Sequence, residues 1–175
     1  MDKKYIAIIG VVVVVIIAIA VAALVILPGL FKPPVDISGV SPSTALTAED
    51  ILPSAVAGEQ LVTGSVYNET LTVDTGARTF DIEYTRAEYD GIFIDVFKAE
   101  STSDASDTLR LLLEDEDWYG GASSYTQTND WFTASKGGRS VFVWRSDTWI
   151  FGVDAENDST RNNAANDLVQ HLRTL

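Results

Sequence analysis

The ionisable side chains of this sequence are mostly carboxylates, and two acidic stretches have the composition of a calcium site. Glu114 and Glu116 lie in one uninterrupted acidic run, and Asp154 and Asp158 lie in a second stretch with alternate spacing. Ca²⁺ prefers such carboxylate oxygens, but neither stretch places glycine and glutamate where an EF-hand loop requires them. Solvated loops and helix ends explain both stretches more simply. A Ca²⁺-stabilised structural surface protein is therefore an alternative interpretation.

The other residue types used in catalysis are scarce or lack a recognisable arrangement. His171 is the one histidine, and the sequence has no cysteine. None of the G-x-S-x-G, H-E-x-x-H, P-loop or dinucleotide-binding motifs occurs. Pairs of carboxylates suited to glycoside hydrolysis can be chosen in many ways from so many acids, so they carry little information. We therefore predict a protein without catalytic activity or cofactor, with a carboxylate-dependent extracellular hydrolase as the alternative.

Aromatic residues are concentrated in the C-terminal third of the chain, where several strands are predicted. In one predicted strand, RSVFVWR at 139–145, valines alternate with aromatic residues, so that both faces of the strand are apolar. Either other parts of the chain, such as residues 48–66, cover the second face, or a partner or ligand docks there. The second interpretation predicts a partner or ligand face formed by Phe93, Phe97, Phe142, Trp144 and Trp131.

The spacing of apolar residues predicts the elements that position these side chains. Apolar and polar residues alternate with period two in several short stretches after residue 59, separated by turn sequences such as Asp-Gly and Gly-Gly. Two stretches, from about residue 103 to 118 and from about 159 to 174, have helical spacing. The order strand-strand-helix occurs twice. We predict an α+β domain with a mostly antiparallel sheet of about five to seven strands and two helices packed on one face, arranged as two ββα units.

The N-terminal region has the properties of a transmembrane helix. No charged residue occurs between Lys4 and Lys32, and a helix over residues 6–27 would be about 33 Å long, close to the roughly 30 Å of a bilayer core. Lys3, Lys4 and the N-terminal amine outnumber Lys32, so the positive-inside rule places the N-terminus in the cytoplasm. A cleaved signal peptide and a pilin-type helix fit less well, because the apolar stretch is too long for the first and lacks the processing site of the second.

The rest of the chain is strongly acidic. Residues 1–32 hold one acidic and three basic residues, which leaves 24 acidic and 9 basic residues of the chain's 25 and 12 for residues 33–175. Binding to phosphate backbones requires a basic surface, so nucleic acid is excluded as a partner. A protein or surface-polymer partner, or a small ligand, is compatible with this charge.

These observations divide the chain into four parts. We predict a cytoplasmic tail (1–4), a transmembrane helix (5–30), a Pro/Ser-rich stalk (31–47) and an acidic α+β extracytoplasmic domain (48–175). The protein would be a single-pass protein of the cell membrane that contacts lipid through residues 5–30. Its domain would act outside the membrane as a binding or interaction module.

Overall fold

The computed structural model describes residues 32–115, 118–119, 122, 124–127 and 130–175, with residues 124–127 described by their backbone alone. The predicted transmembrane helix at 5–30 and the calcium candidate Glu116 lie outside the described residues. Within the described ranges, no helix is both long enough and apolar enough to cross a bilayer. Residues 33–175 belong to one compact unit.

The described residues form nine strands and two helices. In chain order these are β1 (Ala55–Val56), β2 (Glu59–Gln60), β3 (Tyr67–Asp74), β4 (Thr79–Tyr89), β5 (Ile92–Lys98), α1 (Thr102–Glu114), β6 (Ser124–Gln127), β7 (Trp131–Lys136), β8 (Arg139–Ser146), β9 (Trp149–Ala155) and α2 (Asp158–Leu172).

Strands β3 to β9 form one seven-stranded sheet, and β1 and β2 form a separate two-stranded sheet. The order in the large sheet is β3-β4-β5-β9-β8-β7-β6, and every neighbouring pair is antiparallel. The predicted α+β class and the predicted antiparallel sheet of five to seven strands are confirmed. Strands β5 and β9 meet at the centre, so the strand pairs β4-β5 and β8-β9 lie side by side.

Tight turns fix the register of the sheet. The β4-β5 hairpin closes through Asp90 and Gly91, whose φ angles are 46° and 81°. Two consecutive residues with positive φ give a turn whose twist matches that of the flanking strands, and Asp-Gly is a favoured pair for it. The Gly137-Gly138 turn between β7 and β8 has the same property, with φ angles of 61° and 80°. The turn sequences therefore decide which residues face each other across the strands.

Each helix begins at a side chain that accepts a backbone hydrogen bond. Ser101 caps α1 by accepting from the N–H of Asp104 at 3.1 Å, and Asn157 caps α2 by accepting from the N–H of Thr160 at 2.9 Å. Caps of this kind satisfy backbone donors that have no partner within the helix. The apolar residues at helical spacing in α2, which are Ala165, Leu168, Val169 and Leu172, are all buried.

The two helices lie on opposite faces of the sheet, which corrects the prediction that both pack on one face. Helix α1 packs on the face that includes Ile82, Phe97 and Val143, here called the α1 face. Helix α2 packs on the face that includes Phe142 and Trp144, here called the α2 face. Because β8 is apolar on both sides, each side needs a cover, and one helix on each face provides it. The strand-strand-helix order occurs twice, but its two copies do not share a face.

The proline-rich segment predicted as a stalk contributes to the core of the domain. Val35 and Val40 are buried against the α2 face. The indole Nε1 of Trp149 donates a hydrogen bond to the carbonyl oxygen of Pro42 at 3.2 Å, and Lys98 Nζ donates to the carbonyl oxygen of Leu46 at 2.6 Å. The compact unit begins at residue 33 and includes this segment.

Candidate functional site

The five aromatic residues predicted to form a partner face do not share one surface. Trp131, Phe142 and Trp144 are buried on the α2 face, and Phe97 is buried on the α1 face. Phe93 alone is half-buried. The ring of Trp144 stacks on that of Phe142 with centroids 5.0 Å apart, as is common in a protein core.

The second apolar face of β8 is covered by other parts of the same chain. Ile51 and Val56 are fully buried in the cluster that also holds Phe142 and Trp144, together with residues of α2. The hydroxyl of Tyr89 donates to the carbonyl oxygen of Pro53 at 2.7 Å and so closes the cluster at this segment. This face was predicted either to be covered by other parts of the chain or to bind a partner or ligand. The structure shows that residues 48–66 and the segment that precedes them cover it.

The described calcium candidates are engaged with basic or hydroxyl groups. Glu114 Oε2 lies 2.6 Å from Arg110 Nη1, and Asp154 Oδ1 lies 2.6 Å from Arg139 Nε. Asp158 accepts from the hydroxyl of Ser140 and lies 3.0 Å from Arg161 Nη1. Among the described residues, no three His, Asp or Glu side chains converge as a metal site would require. The described residues therefore provide no set of ligands for the predicted calcium site.

A buried carboxylate that the sequence analysis did not single out lies at the centre of the α1 face. Asp95, in the middle of β5, is 0% exposed. Its Oδ1 accepts hydrogen bonds from the hydroxyl of Tyr84 at 2.8 Å and from Nη1 of Arg86 at 3.2 Å, and its Oδ2 accepts from the hydroxyl of Tyr119 at 3.2 Å. We call Asp95, Tyr84, Arg86 and Tyr119 the Asp95 cluster. Three donors directed at one carboxylate compensate for part of the loss of its hydration.

The sheet register and one glycine create the space for this cluster. Arg86 on β4 lies directly opposite Asp95, and Gly152 on β9 lies directly opposite on the other side. A Cβ atom at Gly152 would lie 3.3 Å from Asp95 Cβ and 3.5 Å from the Tyr119 hydroxyl. A side chain at this position would therefore crowd the carboxylate and the hydroxyl that binds it.

Burial dominates the electrostatics of the Asp95 cluster. Desolvation raises the pKa of Asp95 above its ordinary value, while the Arg86 guanidinium and the two hydroxyls act in the opposite direction. Burial and the adjacent Asp95 raise the pKa of Tyr119 well above its ordinary value, and the same two causes raise the pKa of Tyr84. Both phenols therefore remain protonated and able to donate at neutral pH.

An open cavity of about 280 Å³ lies next to the cluster on the α1 face. We call it the basic pocket, because three of its lining residues are cationic. It is lined by Arg86, Trp118, Tyr119, Lys136, Arg139, Val141 and Asp154. Lys136 Nζ donates to the carbonyl oxygen of Trp118 at 2.6 Å, which ties the aromatic wall to the end of β7.

Phe93 holds the two arginines of the basic pocket in place. The guanidinium carbon of Arg86 lies 4.4 Å from the centroid of the Phe93 ring, and that of Arg139 lies 5.0 Å from it. Cations at this distance are attracted to the negative face of an aromatic ring. Of the five residues predicted to form a ligand face, Phe93 thus contacts the two arginines that line the basic pocket, and Phe97 contacts its Trp118, with ring centroids 5.3 Å apart.

One signal in the sequence could have located this site. Asp95 is the only acidic residue in the apolar run from Gly91 to Val96, and an unpaired charge inside such a strand is costly. The predicted Asp-Gly hairpin also brings Arg86 opposite Asp95. The contribution of Tyr119 could not have been foreseen, because this residue follows α1 and reaches the cluster only through the tertiary fold.

Comparison with known proteins gives little further information. No protein-family model matches the chain, and no curated protein matches it. Its structure is similar to a crystal structure from Thermotoga maritima described as a GTP binding regulator, with 16% sequence identity and a TM-score of 0.40. The similarity covers 75% of this chain and 87% of the other. At this level of similarity, the function of the other protein says nothing about this one.

Proposed function

We propose that this protein is a membrane-anchored binding module without catalytic activity, whose domain lies outside the cell membrane and takes its ligand in the basic pocket. The anchoring part of the proposal is supported by the uncharged stretch between Lys4 and Lys32. Its orientation is supported by the two lysines that precede this stretch. The ligand would be a small molecule, or an exposed group of a partner protein or surface polymer.

The observation that carries the binding proposal is the contrast between the basic pocket and the packed core beside it. Binding sites in proteins are typically concave, with aromatic walls and a few convergent polar groups. The basic pocket has aromatic walls from Trp118 and Tyr119 and polar groups from Arg86, Lys136 and Arg139. The centre of the α2 face, in contrast, is covered by α2 and by the chain from residue 35 onward.

The orientation can be tested with single cysteines, because the natural chain has none. Val62 is exposed on the domain, and Asp2 lies in the predicted cytoplasmic tail. We expect a membrane-impermeant maleimide to label the V62C variant in intact cells and the D2C variant only after lysis. Labelling of D2C alone in intact cells would reverse the proposed orientation.

Binding can be tested by a thermal-shift screen of the full chain in detergent micelles against small anionic, neutral and cationic compounds. A ligand at 100 times its Kd raises the free energy of unfolding by about 2.7 kcal/mol, so binding appears as a raised melting temperature. We expect at least one class to stabilise the wild-type chain and to lose this effect in K136W, whose indole would occupy the pocket. A screen in which no compound acts through the pocket would contradict the proposed function.

One observation favours a carboxylate-dependent hydrolase as the second candidate. Asp95 and Asp154 lie on the same face of the sheet, and the charge of Asp154 contributes to the raised pKa of Asp95. Against it, Asp95 is fully buried and Asp154 is paired with Arg139. Hydrolysis of chromogenic glycosides or esters that is abolished by D154N and retained by D81N would establish this candidate. Equal background rates for the wild type and both variants would exclude it for those substrates.

A further inference from the structure

We infer that the basic pocket binds a carboxylate or phosphate group, with Arg139 and Lys136 as the residues that recognise its negative charge. This inference rests on the proposed function and specifies its ligand as an anion. The carboxylate or phosphate group can belong to a free small molecule or to the acidic end of a larger one.

The distribution of charge is the first support. Residues 33–175 contain nine basic residues and 24 acidic ones, yet three of the nine line this one cavity. Among the residues that the structure describes, Asp154 is the one carboxylate that lines it with them. Even when the buried Asp95 is counted, the described groups at the cavity carry one more positive than negative charge. An anion that approaches this acidic domain is therefore attracted to this cavity rather than to the surrounding surface.

The second support is that Arg139 is already held in position. Its Nε donates to Asp154 Oδ1 at 2.6 Å, and its Nη2 donates to the carbonyl oxygen of Gly91 at 2.8 Å. Its Nη1 has no hydrogen-bond partner among the residues that the structure describes. A guanidinium that is fixed in place and keeps one nitrogen available loses little entropy when it binds an oxyanion.

The size and walls of the cavity limit the ligand. A volume of about 280 Å³ lies just below the usual range for ligand pockets, so a small molecule or the acidic end of a larger one fits. Trp118 and Tyr119 supply flat aromatic surfaces beside the cations. Because an aromatic wall favours a planar apolar group next to the anion, benzoate is a suitable carboxylate probe. Inorganic phosphate is the corresponding phosphate probe.

The experiment is a ligand-observed NMR titration of the full chain in detergent micelles at constant ionic strength. The probes are benzoate, inorganic phosphate, benzyl alcohol and benzylammonium. We expect benzoate or phosphate to bind, and benzyl alcohol and benzylammonium to bind much more weakly. In R139Q the Kd for the anion should rise on the order of ten- to a hundred-fold, as expected when a hydrogen bond to a charged group is lost.

Matched variants separate recognition from folding. R110Q removes an exposed arginine of α1 that pairs with Glu114 and does not line the cavity, and it should leave the anion Kd unchanged. R139K keeps the charge and should retain part of the affinity. If circular dichroism shows that R139Q does not fold, K136M replaces it and should also weaken anion binding.

The outcomes distinguish this inference from the proposed function. If benzyl alcohol or benzylammonium binds through the pocket and the anions do not, the inference is wrong while the proposed binding function stands. Anion binding that is equal in wild type, R139Q and K136M also overturns the inference, because the anion then binds elsewhere. If no probe binds and the wider screen finds no ligand for the pocket, both are wrong.

Discussion

The two faces of the seven-stranded sheet are closed by different means. The α2 face is covered by a 15-residue helix and by the chain from residue 35 to residue 66, and its buried residues are mostly apolar, with Ser140 and Arg161 as a buried hydrogen-bonded polar pair. The α1 face is covered by a 13-residue helix and by Trp118 and Tyr119, and it contains a buried carboxylate beside an open cavity. The comparison indicates that packing on the α2 face stabilises the domain, while polar groups on the α1 face shape a site at some cost in stability.

The largest effect is expected from Trp144, at the centre of the α2 face. Its side chain is fully buried between Phe142 and Phe151, with ring centroids 5.0 and 5.2 Å away. We expect W144A to lower the free energy of unfolding by about 4 kcal/mol, because it removes buried apolar area and leaves a cavity. Urea unfolding of the full chain in micelles measures this, with V62A at an exposed position as the control. A loss below about 1 kcal/mol would show that the α2 face does not dominate stability.

A smaller loss is expected from D95A on the α1 face. The change leaves Arg86 and the hydroxyls of Tyr84 and Tyr119 without their common acceptor. Removing one partner of a buried ion pair costs about 3–5 kcal/mol, but the Arg86 side chain is 35% exposed and can turn toward water. We therefore expect a loss of about 3 kcal/mol in urea unfolding.

The double variant D95L/R86M is the control for this prediction. If the Asp95–Arg86 ion pair shapes the site and adds no net stability, the double variant should recover most of the stability lost in D95A. A double variant that is less stable than D95A would show that the ion pair itself stabilises the domain.

Tyr89 is buried on the α2 face, so its ionisation tests the stability of this face at high pH. Burial raises the pKa of Tyr89 to about 12, against a value of about 10 in the unfolded chain. The folded state therefore keeps this proton between pH 10 and 12 after the unfolded state has lost it. The contribution is fully present below about pH 10, and about 2–3 kcal/mol of stability is lost as the pH rises toward 12.

The Y89F variant tests this assignment. It should be less stable than wild type at pH 8 by about 1 kcal/mol, because the hydrogen bond to the carbonyl oxygen of Pro53 is lost. The difference should shrink or reverse by pH 11.5, which urea unfolding at both pH values measures. Parallel behaviour of wild type and Y89F across this range would assign the alkaline loss to other tyrosines, such as Tyr84 on the α1 face.

Local sequence signals predicted the strands, the turns and the helix stripes, because each depends on residues close together in the chain. Asp90-Gly91 and Gly137-Gly138 define hairpins by backbone preference alone. The side on which each helix packs depends on which apolar surface of the sheet remains to be covered, and this is a property of the assembled sheet. The alternation of valine and aromatic residues in β8 contained that information, since a strand apolar on both sides needs two covers.

The candidate site was less predictable for the same reason. The Asp95 cluster joins β4 and β5 to Tyr119, and the hydrogen bond from Trp149 to Pro42 joins residues 107 positions apart. No sequence periodicity links such residues. The proline and serine content of residues 31–47 predicted a stalk, and composition alone does not show that Val35 and Val40 reach the core. The transmembrane helix at 5–30 stays a prediction.

The smallest effect is expected from calcium. Glu114 and Asp154 are paired with arginines, and Asp158 is bound by Ser140 and Arg161, so a cation would have to displace existing partners. We expect the melting temperature of the full chain to differ by less than about 1 °C between 1 mM CaCl₂ and excess EGTA, because a ligand far below its Kd adds almost nothing to stability. MgCl₂ at the same concentration controls for ionic strength. A Ca²⁺-specific rise of several degrees that D154N removes would instead make the α1 face a metal-stabilised structure, and Asp154 would belong to a cation site rather than to the wall of an anion pocket.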